Sequence, residues 1–186
     1  MRIPVLIVGA GPVGLAAAYV LGRFGVRSVV CEEHSSINPH PRAHVVNTRT
    51  MELLRNWGVA TAVVADSLPR EWLTRIIWTT TLAGEELGRL DLTDLPAEQL
   101  AVRLTCSPEM TQSCAQDRVQ QHLVDLVSQQ GRCDLRWGTT VIELTDTDEG
   151  VEATMSQGGE TTKVLAEYVI GADGATSWVR RHRGIP

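Results

Sequence analysis

Lysine is almost absent from this sequence: Lys163 stands alone against 16 arginines, a ratio we read as a coding bias and not as a function. Basic charge is also in short supply. The net charge of −5 argues against nucleic acid as the main partner. No stretch of about 18 apolar residues runs uninterrupted by glycine or charge, so no spanning helix and no membrane partner are expected. Cysteine is sparse, at Cys31, Cys106, Cys114 and Cys133. No pair has CxxC spacing and no histidine–cysteine cluster forms, so neither a zinc site, nor any other metal centre, nor a redox dithiol is expected. Arg2 followed by an apolar stretch to Leu21 has the outline of a secretion signal. Gly9, Gly11, Pro12 and Gly14 break that stretch where a signal needs continuous helix. The expected setting is the reducing cytoplasm.

What remains is ordinary globular material: 186 residues, 43% hydrophobic and 21% charged, enough to bury a core within one domain or one and part of another. Ile3–Val8 is a continuous apolar run, as in a strand buried on both faces of a parallel sheet. Pro12 to Phe24 carries Val13, Ala16, Ala17, Val20 and Leu21 at helical spacing and stops at Gly25. Arg27–Glu32 reads as a second strand, which completes a βαβ unit. Further along, Thr48–Trp57 and Asp117–Gln129 read as helices, the latter with Val119, Leu123, Leu126 and Val127 on its apolar face. Thr74–Thr81 reads as a strand and Leu87–Leu95 fits no single pattern. Cys133–Trp137, Thr139–Thr145, Val151–Met155 and Lys163–Ile170 read as strands, with turns at Asp148–Gly150 and Gly158–Gly159, and a last helix is expected over Ala175–His182. The fold class is α/β.

Gly9-Ala10-Gly11-Pro12-Val13-Gly14 is a GxGxxG turn between the first strand and the first helix. Gly9 permits the tight turn, Gly11 lets backbone approach a pyrophosphate, and Gly14 lets helix pack closely on strand. The helix N-terminus offers unpaired N–H groups and a positive dipole end. Glu32 closes the second strand at about the spacing, some 20 residues, where a carboxylate accepts from ribose hydroxyls. Strand alternation favours Glu32 over Glu33 for that place. An acid there disfavours a 2′-phosphate, so NADP is not expected at this turn; NAD and FAD both remain.

Further stretches decide between them. Gly9–Val26 with Val29–Glu33, Pro41–Val59 (PRAHVVNTRTMELLRNWGV), Ala115–Val119 (AQDRV) and Tyr168–Arg180 (YVIGADGATSWVR) occur in an order that resembles the FAD-dependent aromatic hydroxylases. These are single-component flavoprotein monooxygenases of the p-hydroxybenzoate hydroxylase and phenol hydroxylase type. The resemblance implies a glutathione-reductase-like, Rossmann-type FAD-binding domain over residues 1–186, with 72–105 contributing strands to a substrate-binding sheet. It implies FAD as cofactor and NAD(P)H as reductant. The reaction implied is hydroxylation of a small aromatic, phenolic substrate by O2 through a flavin C4a-hydroperoxide. Residue by residue, Gly9, Gly11, Pro12 and Gly14 would hold the pyrophosphate and Glu32 the adenosine ribose. Arg42 would approach the flavin side of FAD and Gln116 the ribityl chain, while Asp173 would serve FAD and, indirectly, the pyridine nucleotide, with Gly174 beside it as a cofactor-binding residue.

Each assignment has a plainer competitor. Asp173 suits an N-cap for the Ala175–His182 helix as well as a ligand, Arg42 suits solvent, and Gln116 suits a helix start. His44 stands where the phenol hydroxylase branch has an acid acting on the phenol proton. An imidazole there serves as a general base or is simply packed. His34 and His40 are read as structural. The family is more than twice this length, and the chain stops at Gly184-Ile185-Pro186 a few residues beyond a strand and turn. It therefore reads as truncated, with a C-terminal half or a completing chain as the expected partner. The competing readings are a plain NAD dehydrogenase, a disulfide reductase lacking its cysteine pair, and a non-catalytic FAD-binding subunit.

Overall fold

The computed structural model describes residues 1–40, 42–91 and 96–186, without the side chains of 97, 99, 100, 103 and 104. Pro41 of the resemblance and the 92–95 end of the unassigned Leu87–Leu95 stretch lie outside the described residues. The chain runs β1 (Arg2–Val8), α1 (Pro12–Arg23), β2 (Ser28–Glu32), β3 (Val45–Val46), α2 (Thr48–Asn56), α3 (Ala60–Ala65) and a 3-10 turn (Arg70–Trp72). It continues through β4 (Arg75–Thr79), β5 (Glu86–Asp91), α4 (Ala97–Cys106), β6 (Gln112–Ser113) and α5 (Gln116–Gln130). It closes with β7 (Cys133–Trp137), β8 (Thr139–Thr147), β9 (Gly150–Gln157), β10 (Glu160–Gly171) and α6 (Trp178–His182). Two compact units result: Met1–His40 with Val119–Pro186, and Pro41–Arg118.

The first unit is built on a six-stranded sheet of order β7-β2-β1-β10-β9-β8. β7, β2, β1 and β10 are parallel, while β8, β9 and β10 form an antiparallel meander. β10 belongs to both parts. Its first half pairs with β9, its second half with β1, and Leu165 and Ala166 pair on both sides. Ile3, Leu6, Val8, Val29 and Cys31 pack with Val141, Leu144, Ala153, Met155, Val164 and Ala166 into one apolar cluster. Val5, Ile7 and Val30 are buried too but lie outside that cluster. α1 lies against β1, β2 and β7.

Two expectations change here. The buried residues of α1 are Gly14, Leu15, Ala18 and Gly22, one position out of phase with much of the expected stripe, and Val13 is 71% exposed. Small residues win the inner face because the helix comes close: a Cβ on Gly14 would stand 1.9 Å from the Gly9 carbonyl oxygen. The last helix starts at Trp178, not Ala175. Ser177 takes φ −40 and ψ 120, off the helix path, and its hydroxyl caps the helix by accepting from the Arg180 N–H at 2.9 Å.

The second unit has smaller elements. β3 and β6 pair over two residues each, Val45 with Ser113 and Val46 with Gln112. Asn47 caps α2 by accepting from the Thr50 N–H at 2.8 Å. Among the described residues, Val46, Met51, Leu54, Ala60, Val63 and Cys114 are its buried apolar ones. Within 72–105, β4 and β5 form a two-stranded antiparallel ribbon from Arg75–Asp91 to Thr79–Glu86, followed by α4. The ribbon leaves Ile76, Ile77, Trp78, Leu87 and Leu90 exposed. Among the described residues no helix is long and apolar enough to cross a membrane.

Candidate functional site

The glycine turn leaves the C-terminal end of β1, where parallel strands of an open α/β sheet present ligand sites. Its backbone is held on almost every side. The Gly9 N–H donates to the Cys31 carbonyl at 2.7 Å, and the Val8 carbonyl accepts from the Ala172 N–H at 2.8 Å. The Ala10 N–H donates to Glu32 Oε2 at 2.9 Å, and the Ala10 carbonyl accepts from Gln120 Nε2 at 2.7 Å. Gly9 has φ +102, and a Cβ there would meet the Ala172 carbonyl oxygen at 2.5 Å. Gly11 is the opposite case. A Cβ at Gly11 would meet nothing within 4 Å, and no side chain caps the helix that begins beside it. Pro12 occupies the first helical turn, where its missing N–H is no loss. The result is an open cradle at an uncapped helix N-terminus.

Two carboxylates border the turn. Glu32 is largely buried and Glu33 is exposed. Besides the Ala10 N–H, Glu32 accepts from the His34 N–H at 3.1 Å and meets His34 Nδ1 at 2.6 Å. Burial alone would raise its pKa. The bonds from Ala10 and His34 outweigh that and hold the carboxyl below the usual range. Asp173 follows β10 in the turn whose Ala172 packs against Gly9 and Gly14. Its Oδ2 accepts from the Val179 N–H at 2.9 Å, while Oδ1 is buried without a hydrogen-bond partner. Burial pushes this carboxyl up, but the nearby Ser177 hydroxyl and the N–H groups of Val179 and Trp178 bring it below its ordinary value. Ser177, not Asp173, is the N-cap of α6; Asp173 reaches the helix from outside it. Gly174 supplies the positive φ that turns the chain there.

Gly9, Gly11, Pro12, Gly14, Glu32, Asp173 and Gly174 thus lie together in the first unit. Arg42, His44 and Gln116 belong to the second. There the Gln116 N–H donates to the Ala43 carbonyl at 2.9 Å, which ties the start of α5 to the loop carrying Arg42 and His44. His44 Nδ1 lies 2.8 Å from the hydroxyl of Ser113, itself a buried residue. Arg42 is exposed and, among the described residues, neither its guanidinium nor the Gln116 side chain has a hydrogen-bond partner. The four cysteines are free thiols, and burial pushes Cys31 up to about 11, so it stays neutral and poorly nucleophilic.

Two residues that sequence reading left aside sit against the turn. His34 lies on the Glu32 carboxylate, and Gln120 bonds the turn directly. Nothing in a loop histidine announces such a contact. Gln120 carried a signal: a polar side chain between Val119 and Leu123 on the buried face of a helix.

A family model described as FAD binding domain matches residues 2–186. The chain is 33% identical over 184 residues to the 2,4-dichlorophenol 6-monooxygenase of Cupriavidus pinatubonensis (strain JMP 134 / LMG 1197), covering 98% of this chain and 31% of that protein. It is 32% identical over 177 residues to the phenol 2-monooxygenase of Pseudomonas sp. (strain EST1001), covering 94% of this chain and 29% of that one. The crystal structure of the flavin-dependent monooxygenase PieE in complex with FAD and substrate superposes with a TM-score of 0.89 at 33% identity, over 99% of this chain and 32% of PieE. The chain spans about a third of the length of these relatives.

Proposed function

Since this chain belongs to the family of FAD-binding domains, we propose that it is the FAD-binding part of a flavin-dependent monooxygenase that takes NAD(P)H and O2 and hydroxylates a small phenolic substrate. The observation that carries the FAD site is the open space at Gly11, beside an uncapped helix N-terminus and between two carboxylates held in their charged form. The donor set fits the dinucleotide. In this reading Gly9, Gly11, Pro12 and Gly14 form the pyrophosphate cradle, with the Gly11 N–H and the dipole of α1 facing the negative charge. Glu32 accepts from the adenosine ribose and repels a 2′-phosphate. Asp173, with Oδ1 unpartnered, and Gly174 serve FAD, Arg42 approaches its flavin side, and Gln116 bonds near the ribityl chain.

When bound, the flavin supplies the redox chemistry that passes an oxygen atom from O2 to an electron-rich ring. The chain's own contribution to that chemistry is a proton acceptor. In the tautomer whose Nδ1–H donates to the Ser113 hydroxyl, His44 Nε2 carries the free lone pair and takes the phenolic proton. The relatives that act on phenol and dichlorophenol, by their names, support that substrate class. The exposed apolar ribbon of β4 and β5 supports a further assignment, that 72–105 contributes strands to a substrate-binding sheet, since an isolated two-stranded ribbon is marginal in water.

Titration with FAD, followed by flavin fluorescence and the visible spectrum, tests the cofactor site. Gly11→Val places its side chain in the cradle and should abolish binding; full FAD occupancy in that variant sinks the assignment of this turn. For the reaction, the whole protein that carries this chain is supplied with NAD(P)H and a panel of phenols. Hydroxylated product coupled to O2 uptake is expected, and peroxide alone with every phenol rejects the aromatic hydroxylase reading.

A further inference from the structure

We propose that Gln120 is a positioning residue for FAD: by holding the Ala10 carbonyl it aims the Gly11 N–H at the pyrophosphate. The proposal rests on the FAD reading of the turn. Gln120 projects from α5, is 9% exposed, and bonds a residue far from it in sequence at 2.7 Å. The acceptor is a carbonyl, so the amide must present its NH2 end, which fixes its orientation. The Ala10–Gly11 peptide is planar and trans, so its C=O and N–H point in opposite directions. Drawing the carbonyl towards α5 therefore sends the Gly11 N–H the other way.

Three further observations give that N–H its purpose. It has no partner in the chain among the described residues. It stands at the residue where a side chain would meet only open space. And the preceding N–H, at Ala10, is already bound to Glu32, so Ala10 is held from both sides and the next peptide cannot rotate freely. Glu32 reaches the ligand itself in the FAD reading; Gln120 acts only through the turn.

The test compares ADP, which carries a pyrophosphate, with adenosine, which carries none. Both are titrated against the full chain, its Gln120→Met variant (similar shape, no donor) and Gln120→Glu, whose carboxylate repels the Ala10 carbonyl. ADP affinity should fall about tenfold in Gln120→Met, the scale of a lost hydrogen bond to a charged group, and further in Gln120→Glu. Adenosine affinity should stay as in the parent. Equal losses for the two ligands, or none for ADP, overturn the proposal while leaving the FAD reading intact. In the parent chain the Gly11 amide resonance should move on addition of ADP and not of adenosine. A Gly11 amide indifferent to bound ADP overturns the proposal even if neither variant folds. A parent chain that binds neither ligand overturns both the proposal and the FAD reading.

Discussion

The two units of this chain hold their candidate residues in different ways. In the first, a six-stranded sheet fills one face with a cluster that includes Leu6, Ala153, Met155 and Ala166, all nearly inaccessible. The turn at its edge has its backbone groups assigned to named partners, and only Gly11 is left facing open space. In the second, two-residue strands hold the Arg42–His44 loop, and a ribbon shows apolar side chains to solvent. A rigid phosphate cradle needs backbone precision, which sheet edges and close helix packing provide. The Arg42–His44 loop is fastened more locally, by the Gln116 N–H on the Ala43 carbonyl and by the contact of His44 with the Ser113 hydroxyl, and it leaves the Arg42 side chain exposed.

The largest effect should come from the tightest contact. Gly14→Ala drives a Cβ to 1.9 Å from the Gly9 carbonyl oxygen, a backbone atom that cannot yield. A loss of about 3 kcal/mol or more is expected, the upper end for overpacking, whereas Gly11→Val should stay within about 1 kcal/mol of the parent. Chemical denaturation measures both. Hydrogen exchange on Gly14→Ala should show protection lost across β1, β2 and β10 and kept in α2; equal loss in α2 would break the contrast between the units.

Next comes the carboxylate. Glu32→Ala should weaken FAD by about 1.5–3 kcal/mol, the range for a hydrogen bond to a charged group. The same change at exposed Glu33 should leave affinity as it was. A larger effect at Glu33, read by equilibrium titration, would put the strand register out by one.

The smallest effect is one of pH. Glu32 titrates lower in the folded chain than its ordinary 4.5, so the unfolded chain binds its proton first as acid is added. The stability it contributes is full above about pH 4.5 and is lost as pH falls through the depressed folded value. The gap in stability between the parent and Glu32→Ala should therefore be widest near neutrality and narrow as pH falls below about 4.5, in urea titrations at a series of pH values. A gap independent of pH would show that the carboxylate's charge plays no part.

Much of the first unit is legible in sequence because its signals are local and redundant. The Ile3–Val8 run, the glycines and Glu32 each point to the same βαβ unit, and Gly158–Gly159 marks the turn between β9 and β10 without ambiguity. The misreadings arise where long-range packing overrides local pattern. Apolar spacing favoured Ala16, Ala17 and Val20 on α1, but the sheet selected the small face of Gly14, Ala18 and Gly22. The α6 start falls at Trp178 because Ser177, as its N-cap, sits off the helix path, a backbone conformation invisible to periodicity. β3 and β6 are too short to carry any period, and α3 offered only six residues, Ala60–Ala65. Gln120 escaped for a different reason: its partner is a backbone carbonyl far away along the chain.

The double membership of β10 also bears on how the molecule comes to exist. β1 is synthesised well before β10, yet β10 is the strand that flanks it on one side, with Ile3 paired to Ala166. At translation speeds of about 5–20 residues per second, β1 waits on the order of 10–30 s for that neighbour. Until then its apolar residues and one row of its N–H and C=O groups stand open, with β2 as the only sheet neighbour synthesised early. Because β10 is already committed to the local meander with β8 and β9, it arrives as a preformed edge. The closing of the sheet is then the docking of a finished hairpin stack onto a waiting strand, and the nascent chain is most vulnerable to aggregation just before it happens.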